Sequence, residues 1–211
     1  MADDPSDPQR AAARLEHLRA EAKACTRCDL YQRATQTVFG QGPPSTRVVM
    51  VGEQPGDRED LVGRPFVGPA GEVLDRALTS TGIDRGQLYL TNAVKHFKWV
   101  PKGRRRIHQT PNETEVAACM PWLEAEVEAI GPEVVVALGA TAGQALLGPE
   151  FRVTRQRGQV IDATIGGWTG PLVATTHPSA ILRVPDAVAR AEALAGFERD
   201  LRVVANLLGL A

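Results

Sequence analysis

Four short apolar runs, rich in β-branched residues, most constrain how this 211-residue chain can fold. They are RVVMVG at residues 47–52, LYLTNAV at 88–94, EVVVALG at 133–139 and PLVATTHP at 171–178. Because apolar and polar residues do not alternate in them, they are typical of parallel strands that are covered on both faces. Helical patterns lie at residues 8–24, 70–81, 114–130, 141–147 and about 187–208.

The alternation of strands and helices predicts a three-layer α/β/α sandwich around a central four-stranded parallel sheet. Residues 151–161 can add a short extra strand or hairpin. The composition, 43% hydrophobic and 23% charged, is that of a globular protein. We expect a disordered N-terminal tail over residues 1–9 and a single domain over residues 10–211.

The N-terminus and the cysteines bear on localisation. The N-terminus is acidic and lacks the apolar segment of a signal peptide, and no apolar run reaches the ~20 residues of a membrane span. The three cysteines are an odd number, which argues against a disulfide framework. We therefore expect a cytoplasmic protein with no membrane partner, and we expect it to be a monomer.

Polar residues follow three of the four predicted strands. GEQPGD, NAVKH and THPS stand at the ends of the first, second and fourth strands. Ligands of open parallel sheets bind beyond these carboxyl ends, which makes Glu53 and His177 candidate site residues. Phe66, in a Gly/Pro-rich loop, can stack on a flat ligand. Each also has a structural alternative: a turn cap for Glu53, the core for Phe66 and a turn for His177.

A basic segment lies between the second and third strands. Residues 93–112 carry only basic charges, although the net charge of the chain is −1. Such a patch attracts phosphate, and a merely solvated loop is the alternative. Within it, KGRRRIH places His108 directly behind three arginines.

Together, GEQPG…GRPFVGPAG, TNAVKH and HPS resemble, in order and spacing, the iron–sulfur-containing bacterial branch of the uracil-DNA glycosylase superfamily. The resemblance runs from about Cys25 to the C-terminus. Three features depart from that branch: Gln54 replaces its usual alanine, His96 replaces a cysteine, and the loop ending in RRRIH is longer. In these departures the chain is similar to the variant known as uracil-DNA glycosylase X, which binds uracil-DNA covalently.

The resemblance implies three catalytic residues. His177 would stabilise the departing uracil anion, and Glu53 would orient His108 and stabilise the sugar cation. A neutral His108 would attack C1′ of the sugar. The neighbouring arginines disfavour a protonated imidazole because like charges repel, and bound phosphates would partly cancel this effect.

The resemblance also implies contacts with the base and with the DNA backbone. The Asn92 amide can accept a hydrogen bond from uracil N3–H and donate one to O4, whereas cytosine presents the opposite pattern. The implied substrate-binding residues are Gly52, Gln54, Asp57, Phe66 and Asn92. The implied DNA-binding residues are Lys102, Arg104, Arg105, Arg106, Ser179 and Arg183.

A metal site is the remaining expectation. Cys25, Cys28 and Cys119 leave a tetrahedral site one ligand short, and His96 stands where the relatives have a cysteine. From residue types and spacing alone, zinc suits such a set at least as well as iron, and three unrelated buried cysteines are the metal-free alternative. The resemblance implies a [4Fe–4S] cluster with a structural role.

The sequence therefore predicts a DNA glycosylase that excises uracil from DNA and remains attached through His108 after a single turnover. One alternative is a conventional hydrolytic uracil-DNA glycosylase with multiple turnovers. Another, from a different class, is a metal-stabilised nucleic-acid-binding module without catalytic activity.

Overall fold

The structure, a computed structural model, describes residues 7–210. In chain order the strands are β1 (Val48–Gly52), β2 (Leu88–Asn92), β3 (Trp99–Lys102), β4 (Arg105–His108), β5 (Val134–Leu138), β6 (Val160–Ile165) and β7 (Trp168–Thr175). The helices are α1 (Pro8–Ala22), α2 (Asp57–Val62), α3 (Pro69–Ser80), α4 (Glu113–Ile130), α5 (Ala140–Leu147), α6 (Val153–Gln156), α7 (Pro178–Leu182) and α8 (Ala187–Leu207).

The central sheet has the strand order β2–β1–β5–β7–β6. Its first four strands are parallel, as predicted, and β6 pairs antiparallel with β7 at the edge. The sheet is thus one strand larger than the predicted four. Residues 151–161 hold the short helix α6 and the beginning of β6, which forms a hairpin with β7.

Helices cover both faces of the sheet and make the predicted α/β/α sandwich. Every residue of β1, β2 and β5 is buried, which explains their continuous apolar character. Alternate residues of β1 point to opposite cores: Val49 and Val51 pack towards α1, α4 and α5, whereas Val48 and Met50 pack towards α3, α7 and α8.

The N-terminal part of the chain differs from the expectation. α1 begins at Pro8, within the segment predicted as a tail, and the Asp7 side chain caps it by accepting from Gln9 N at 2.9 Å. Residues 1–6 of the predicted tail lie outside the described residues. No helix among residues 7–210 combines the length and the apolar character needed to cross a membrane.

The basic segment is a hairpin, and the prediction of a loop was wrong. β3 and β4 pair antiparallel, with Trp99 opposite His108 and Lys102 opposite Arg105. Gly103, with φ of 59°, supplies the left-handed conformation that the tight turn between the strands requires. His108 therefore stands at the base of a two-stranded arm and not in an irregular loop.

We predict that Asn112→Ala destabilises the protein by about 1 kcal/mol, because Asn112 closes a capping box at the start of α4. Its side chain accepts from Glu115 N at 2.9 Å, and the Glu115 carboxylate accepts from Asn112 N at 2.7 Å. Urea unfolding at neutral pH measures the loss. Asn206→Ala, at an exposed position within α8, is the matched control and should change stability by less than about 0.5 kcal/mol. Equal effects would contradict the assignment.

Candidate active site

The carboxyl ends of β1, β2 and β7 open into one cavity of about 960 Å³. Its lining includes Glu53 after β1, Asn92 at the end of β2 and His177 after β7, and the hairpin adds His108. Parallel strands bring these residues to the same edge of the sheet although they are far apart in sequence.

Glu53 and His108 form a pair at the mouth of this cavity. The Glu53 Oε1 atom lies 3.3 Å from His108 Nε2. The hydroxyl of Thr141, at the start of α5, donates to the other carboxylate oxygen. Burial raises the pKa of Glu53, but the hydrogen bonds from His108 and Thr141 outweigh burial and lower it overall. The carboxylate is thus ionised.

His177 also lines the cavity and is a neutral ring. Its Nδ1 accepts from Ser179 N at 3.1 Å and lies 2.8 Å from Ser179 Oγ. Because Ser179 Oγ accepts from Arg183 at 3.1 Å, its own proton is free to donate to Nδ1. The ring proton is therefore on Nε2. Burial lowers the pKa of His177 to about 4, with Arg183 and His108 adding to the effect and Glu53 opposing it.

Phe66, Gly52 and Asn92 shape a flat slot in the cavity. The Phe66 ring stacks near the His177 ring, with centroids 6.2 Å apart and planes inclined by 28°. A Cβ atom at Gly52 would lie only 2.7 Å from Phe66 Cζ and would overlap Asn92 Oδ1, so only glycine fits there. The Asn92 side chain is 3% exposed, and its amide makes no hydrogen bond with any residue of the described chain.

The backbone of Phe66 is strained. Its φ of 54° is the only positive value at a non-glycine residue within residues 7–210, and a bulky side chain rarely adopts it. Arg85 Nη2 donates to the Phe66 carbonyl at 2.9 Å, and Arg85 is itself paired with Asp75. Gly71 leaves room for the same carbonyl. The ring is therefore fixed in place by its surroundings.

Gln54 contacts the hairpin. Its Nε2 donates to Gln109 O at 2.9 Å and to Lys98 O at 3.3 Å, and its Oε1 accepts from Lys98 N at 2.9 Å. These bonds close the base of the hairpin next to Glu53. The sequence placed Gln54 among the substrate-binding residues, whereas in the structure its amide is occupied by the hairpin.

Arg106 ties the hairpin to α2. It donates to Asp60 at 2.6 Å and to Asp57 at 2.5 Å, and its guanidinium lies over the rings of Phe97 and Trp99 at 5.4 and 5.5 Å. Only 19% of its side chain is exposed. In the structure Arg106 and Asp57 thus contact each other, although the sequence assigned them to DNA and to substrate, respectively.

The other predicted DNA-binding residues lie on the surface near the cavity. Lys102, Arg104 and Arg105 are exposed around the tip of the hairpin, and none pairs with a carboxylate of the described chain. Ser179 and Arg183 line the cavity itself. Of the four exposed cations, Arg183 lines the cavity, and the other three lie on the hairpin that contributes His108 to it.

The three cysteines lie near one another, on the side of the sheet that α1 and α4 cover. Cys28 and Cys119 belong to one small apolar cluster, and Cys25 accepts a hydrogen bond from Trp122 Nε1 at 3.3 Å. Burial raises the pKa of the Cys28 thiol and raises that of Cys119 to about 11. Within residues 7–210, no three His, Cys, Asp or Glu side chains meet at metal-binding distance.

His96 has an unsatisfied nitrogen that suits a metal ligand. Its Nε2 lies 2.9 Å from Thr37 Oγ1, and the Thr37 hydroxyl donates to Ala22 O at 2.9 Å. Thr37 must therefore accept from Nε2–H, which leaves the lone pair on Nδ1. That Nδ1 atom is buried and has no hydrogen-bond partner. Burial also lowers the pKa of His96, which keeps the ring neutral. One imidazole and three thiols form a donor set that fits a metal or an iron–sulfur cluster.

Sequence reasoning missed two contacts that hold the site. Thr141 lies in the GAT segment after the third predicted strand, and a hydroxyl at a strand end was the available signal. The contact of Arg85 with Phe66 had no signal, because the two residues are 19 positions apart and lie on different loops.

Comparisons with known proteins agree with this geometry. Residues 39–202 match the family described as the uracil DNA glycosylase superfamily. The chain is 41% identical to a type-4 uracil-DNA glycosylase of Thermotoga maritima, over 80% of this chain and 83% of that protein. It is 35% identical to a type-4 uracil-DNA glycosylase of Archaeoglobus fulgidus, over 92% and 94% of the two chains. A type-5 uracil-DNA glycosylase of Pyrobaculum aerophilum is 32% identical over 64% and 62%.

We predict that acid destabilises the protein partly through His177. The unfolded chain takes up a proton near pH 6.5 and the folded ring only near pH 4, so stability falls as the pH drops through this window. The His177→Asn variant keeps a helix cap but does not titrate. Between pH 7 and pH 4.5, the wild type should lose about 2 kcal/mol more than this variant in urea unfolding. Parallel losses in the two proteins would contradict a neutral, buried His177.

Proposed function

Because this chain belongs to the uracil DNA glycosylase superfamily, we propose that it excises uracil from DNA and then bonds covalently to the abasic sugar, as in the uracil-DNA glycosylase X type. The observation that carries the proposal is the His108–Glu53 pair, 3.3 Å apart, in the cavity that also contains Asn92 and His177. The basic hairpin places this imidazole in the cavity, from which it would face the sugar of a bound nucleotide.

Recognition of uracil uses the slot between Phe66 and Asn92. A target base must leave the helical stack before an enzyme can act on it. The extruded uracil stacks on Phe66, while the unpaired Asn92 amide accepts from N3–H and donates to O4. Cytosine would leave these polar groups mismatched in a buried site, which favours its rejection.

His177 assists the departure of uracil. When the bond between C1′ and N1 breaks, its electron pair leaves with uracil, and the negative charge spreads to O2. The fixed tautomer of His177 presents Nε2–H as a donor for that oxygen. Because Ser179 already orients the ring, little reorganisation is needed when the charge develops.

Glu53 and His108 act on the sugar. The ionised Glu53 carboxylate stabilises positive charge at C1′, and a neutral His108 donates a nitrogen lone pair to that carbon. The product is an imidazolium joined to the sugar, whose charge Glu53 offsets. Loss of the remaining ring proton to water then leaves a neutral N-substituted imidazole, which is a poor leaving group, so the adduct persists and the enzyme acts once.

A conventional hydrolytic glycosylase is the second candidate. The type-4 names of the relatives favour it. In that case Glu53, held by Thr141, would orient a water molecule against C1′, and the hairpin would serve only to bind DNA. The two candidates share uracil release and differ in whether His108 becomes bonded to the sugar.

The exposed cations around the cavity are suited to DNA phosphates. Lys102, Arg104 and Arg105 on the hairpin, and Arg183 at the cavity, can contact the strand that flanks the extruded nucleotide. We assign to Arg106 the positioning of the hairpin, since its donors are already bonded to Asp57 and Asp60. A cytoplasmic location and a monomeric state remain predictions from the sequence.

A [4Fe–4S] cluster is proposed at the cysteines. Cys25, Cys28, Cys119 and the unpartnered Nδ1 of His96 would hold it, and zinc is the alternative metal. Bound there, the cluster would cross-link the segment after α1, the helix α4 and the segment after β2. Thr37 contributes by keeping the proton of His96 on Nε2.

We predict that His108→Ala abolishes covalent attachment while uracil release continues, because Glu53 and His177 remain and water can reach C1′. The wild type, mixed with a uracil-containing oligonucleotide, should give a protein–DNA band that survives heating in detergent. Thymine and cytosine oligonucleotides should give none. Denaturing electrophoresis and assay of free uracil measure the two steps separately.

His17→Ala is the matched control for this experiment. His17 is also paired with a glutamate, Glu21, at 3.4 Å, but its side chain is exposed on the outer face of α1. The His17→Ala variant should form the protein–DNA adduct in the same yield as the wild type. Retention of the band by His108→Ala would exclude His108 as the nucleophile. Multiple turnovers by the wild type, with no band, would establish the hydrolytic alternative.

We predict that the anaerobically purified protein is brown, absorbs broadly near the violet and contains iron and sulfide. His96→Ala and Cys119→Ser should each lower the iron content, because each removes one proposed ligand. A colourless protein that contains zinc would support the alternative metal. Full iron content in both variants would show that the cluster is held elsewhere.

A further inference from the structure

A fully buried ion pair lies behind Asn92 and has no part in the mechanism above. Lys95 Nζ lies 2.5 Å from Glu126 Oε2, and the two side chains are 1% and 0% exposed. Lys95 has two further hydrogen bonds, to Thr91 Oγ1 and to the Asn92 carbonyl, both 2.7 Å long. All three protons of its ammonium group are thus used, and one of them holds the backbone of Asn92.

The Glu126 carboxylate is equally well satisfied. Besides Lys95 it accepts three hydrogen bonds, each of 2.9 Å, from Gly40 N, Tyr89 Oη and Thr91 Oγ1. Burial raises the pKa of Tyr89 well above its ordinary value, and Glu126 raises it further, so the tyrosine remains a donor. The network therefore joins α4, β2 and the segment before β1 through fixed, directional bonds.

Such a pair is poorly explained by stability alone. Removing two charges from water is costly, and well-packed apolar residues in the same space often stabilise a protein as much or more. The pair instead fixes the positions of its hydrogen-bond partners. An ammonium group whose three protons are all bonded holds each acceptor at a defined position. The acceptor on β2 is the carbonyl of Asn92, at the edge of the cavity.

The Asn92 amide depends on this support. It has no hydrogen bond of its own within the described chain, so the direction of the side chain follows from its backbone and from its packing against Gly52. The regular strand ends at Asn92, and two further backbone bonds follow it, from Ala93 N to Gly52 O at 2.9 Å and from Val94 N to Glu53 O at 3.0 Å. Within residues 7–210, Lys95 is the side chain that hydrogen-bonds to the backbone of Asn92 at this point.

We propose that Lys95, neutralised by Glu126, is a positioning residue for base recognition, which orients the Asn92 amide towards uracil N3 and O4. The inference rests on the proposed function, since it concerns the same pocket. Lys95 does not touch the substrate and acts only through Asn92. Its loss should therefore weaken the binding of uracil without weakening the binding of the DNA backbone.

The test is a double-mutant cycle on the intact protein. Lys95→Met with Glu126→Gln removes both charges, while the glutamine still accepts from Gly40 N and Tyr89. The dissociation constant of free uracil, from NMR titration, should rise about tenfold, the size of one lost hydrogen bond. In an Asn92→Ala background the same pair of changes should have no further effect, because Asn92 is the group through which Lys95 acts.

Two controls separate positioning from general damage. Arg47→Met with Glu133→Gln removes an exposed ion pair, 2.6 Å apart, at the amino ends of β1 and β5, and should leave uracil affinity unchanged. Affinity for DNA that carries a tetrahydrofuran abasic analogue should be the same in every variant. Wild-type uracil affinity in the folded Lys95→Met/Glu126→Gln variant, or additive losses with Asn92→Ala, would overturn the inference.

Thr91→Val tests the inference if the double variant does not fold. It removes the hydroxyl that accepts from Lys95 but keeps the ion pair, so uracil affinity should fall about threefold and again show no additivity with Asn92→Ala. An unchanged affinity would overturn the inference here too. If the wild type binds the abasic DNA but neither binds nor releases uracil, the proposed function fails, and the inference fails with it.

Discussion

The parallel pairing of β2, β1, β5 and β7 is the constraint on which the rest of the structure depends. Each inner strand shares backbone hydrogen bonds with two neighbours, so the carboxyl ends of all four lie along one edge of the sheet. Helices on both faces exclude water from the strands and leave that edge open. Glu53, Asn92 and His177 meet there because each follows or ends one of these strands.

The adjacent arginines of the basic hairpin lie in different environments and so can have different roles. Arg106 is drawn inward by Asp57 and Asp60 and covered by aromatic rings, whereas Arg104 and Arg105 face solvent. A guanidinium that is bound by two carboxylates holds the hairpin in place. A guanidinium without a carboxylate partner is available to bind a phosphate. The contacts of Arg106 thus help the short hairpin to hold His108 near the sheet.

Two titratable side chains in the cavity, Glu53 and His177, are kept in different charge states. Hydrogen bonds from His108 and Thr141 keep Glu53 ionised despite its burial. Burial keeps His177 neutral, and the bond by which its Nδ1 caps α7 leaves Nε2–H as a donor. A heterolytic cleavage creates a cation on one fragment and an anion on the other. The Glu53 carboxylate complements the cation, and the neutral His177 donor complements the anion. Both are in place before the bond breaks.

The sequence by itself determined the sheet, the helices on both faces and the strand ends that form the site, because continuous apolar runs and helical periodicity are local properties. Its resemblance to the uracil-DNA glycosylases also pointed to Asn92 and His108. Only the tertiary structure decided how they are held: Gln54 closes a hairpin 55 residues away, and Lys95 reaches a glutamate 31 residues away. These hydrogen bonds form only when distant helices, strands and loops pack together, and no local pattern in the sequence specifies that packing.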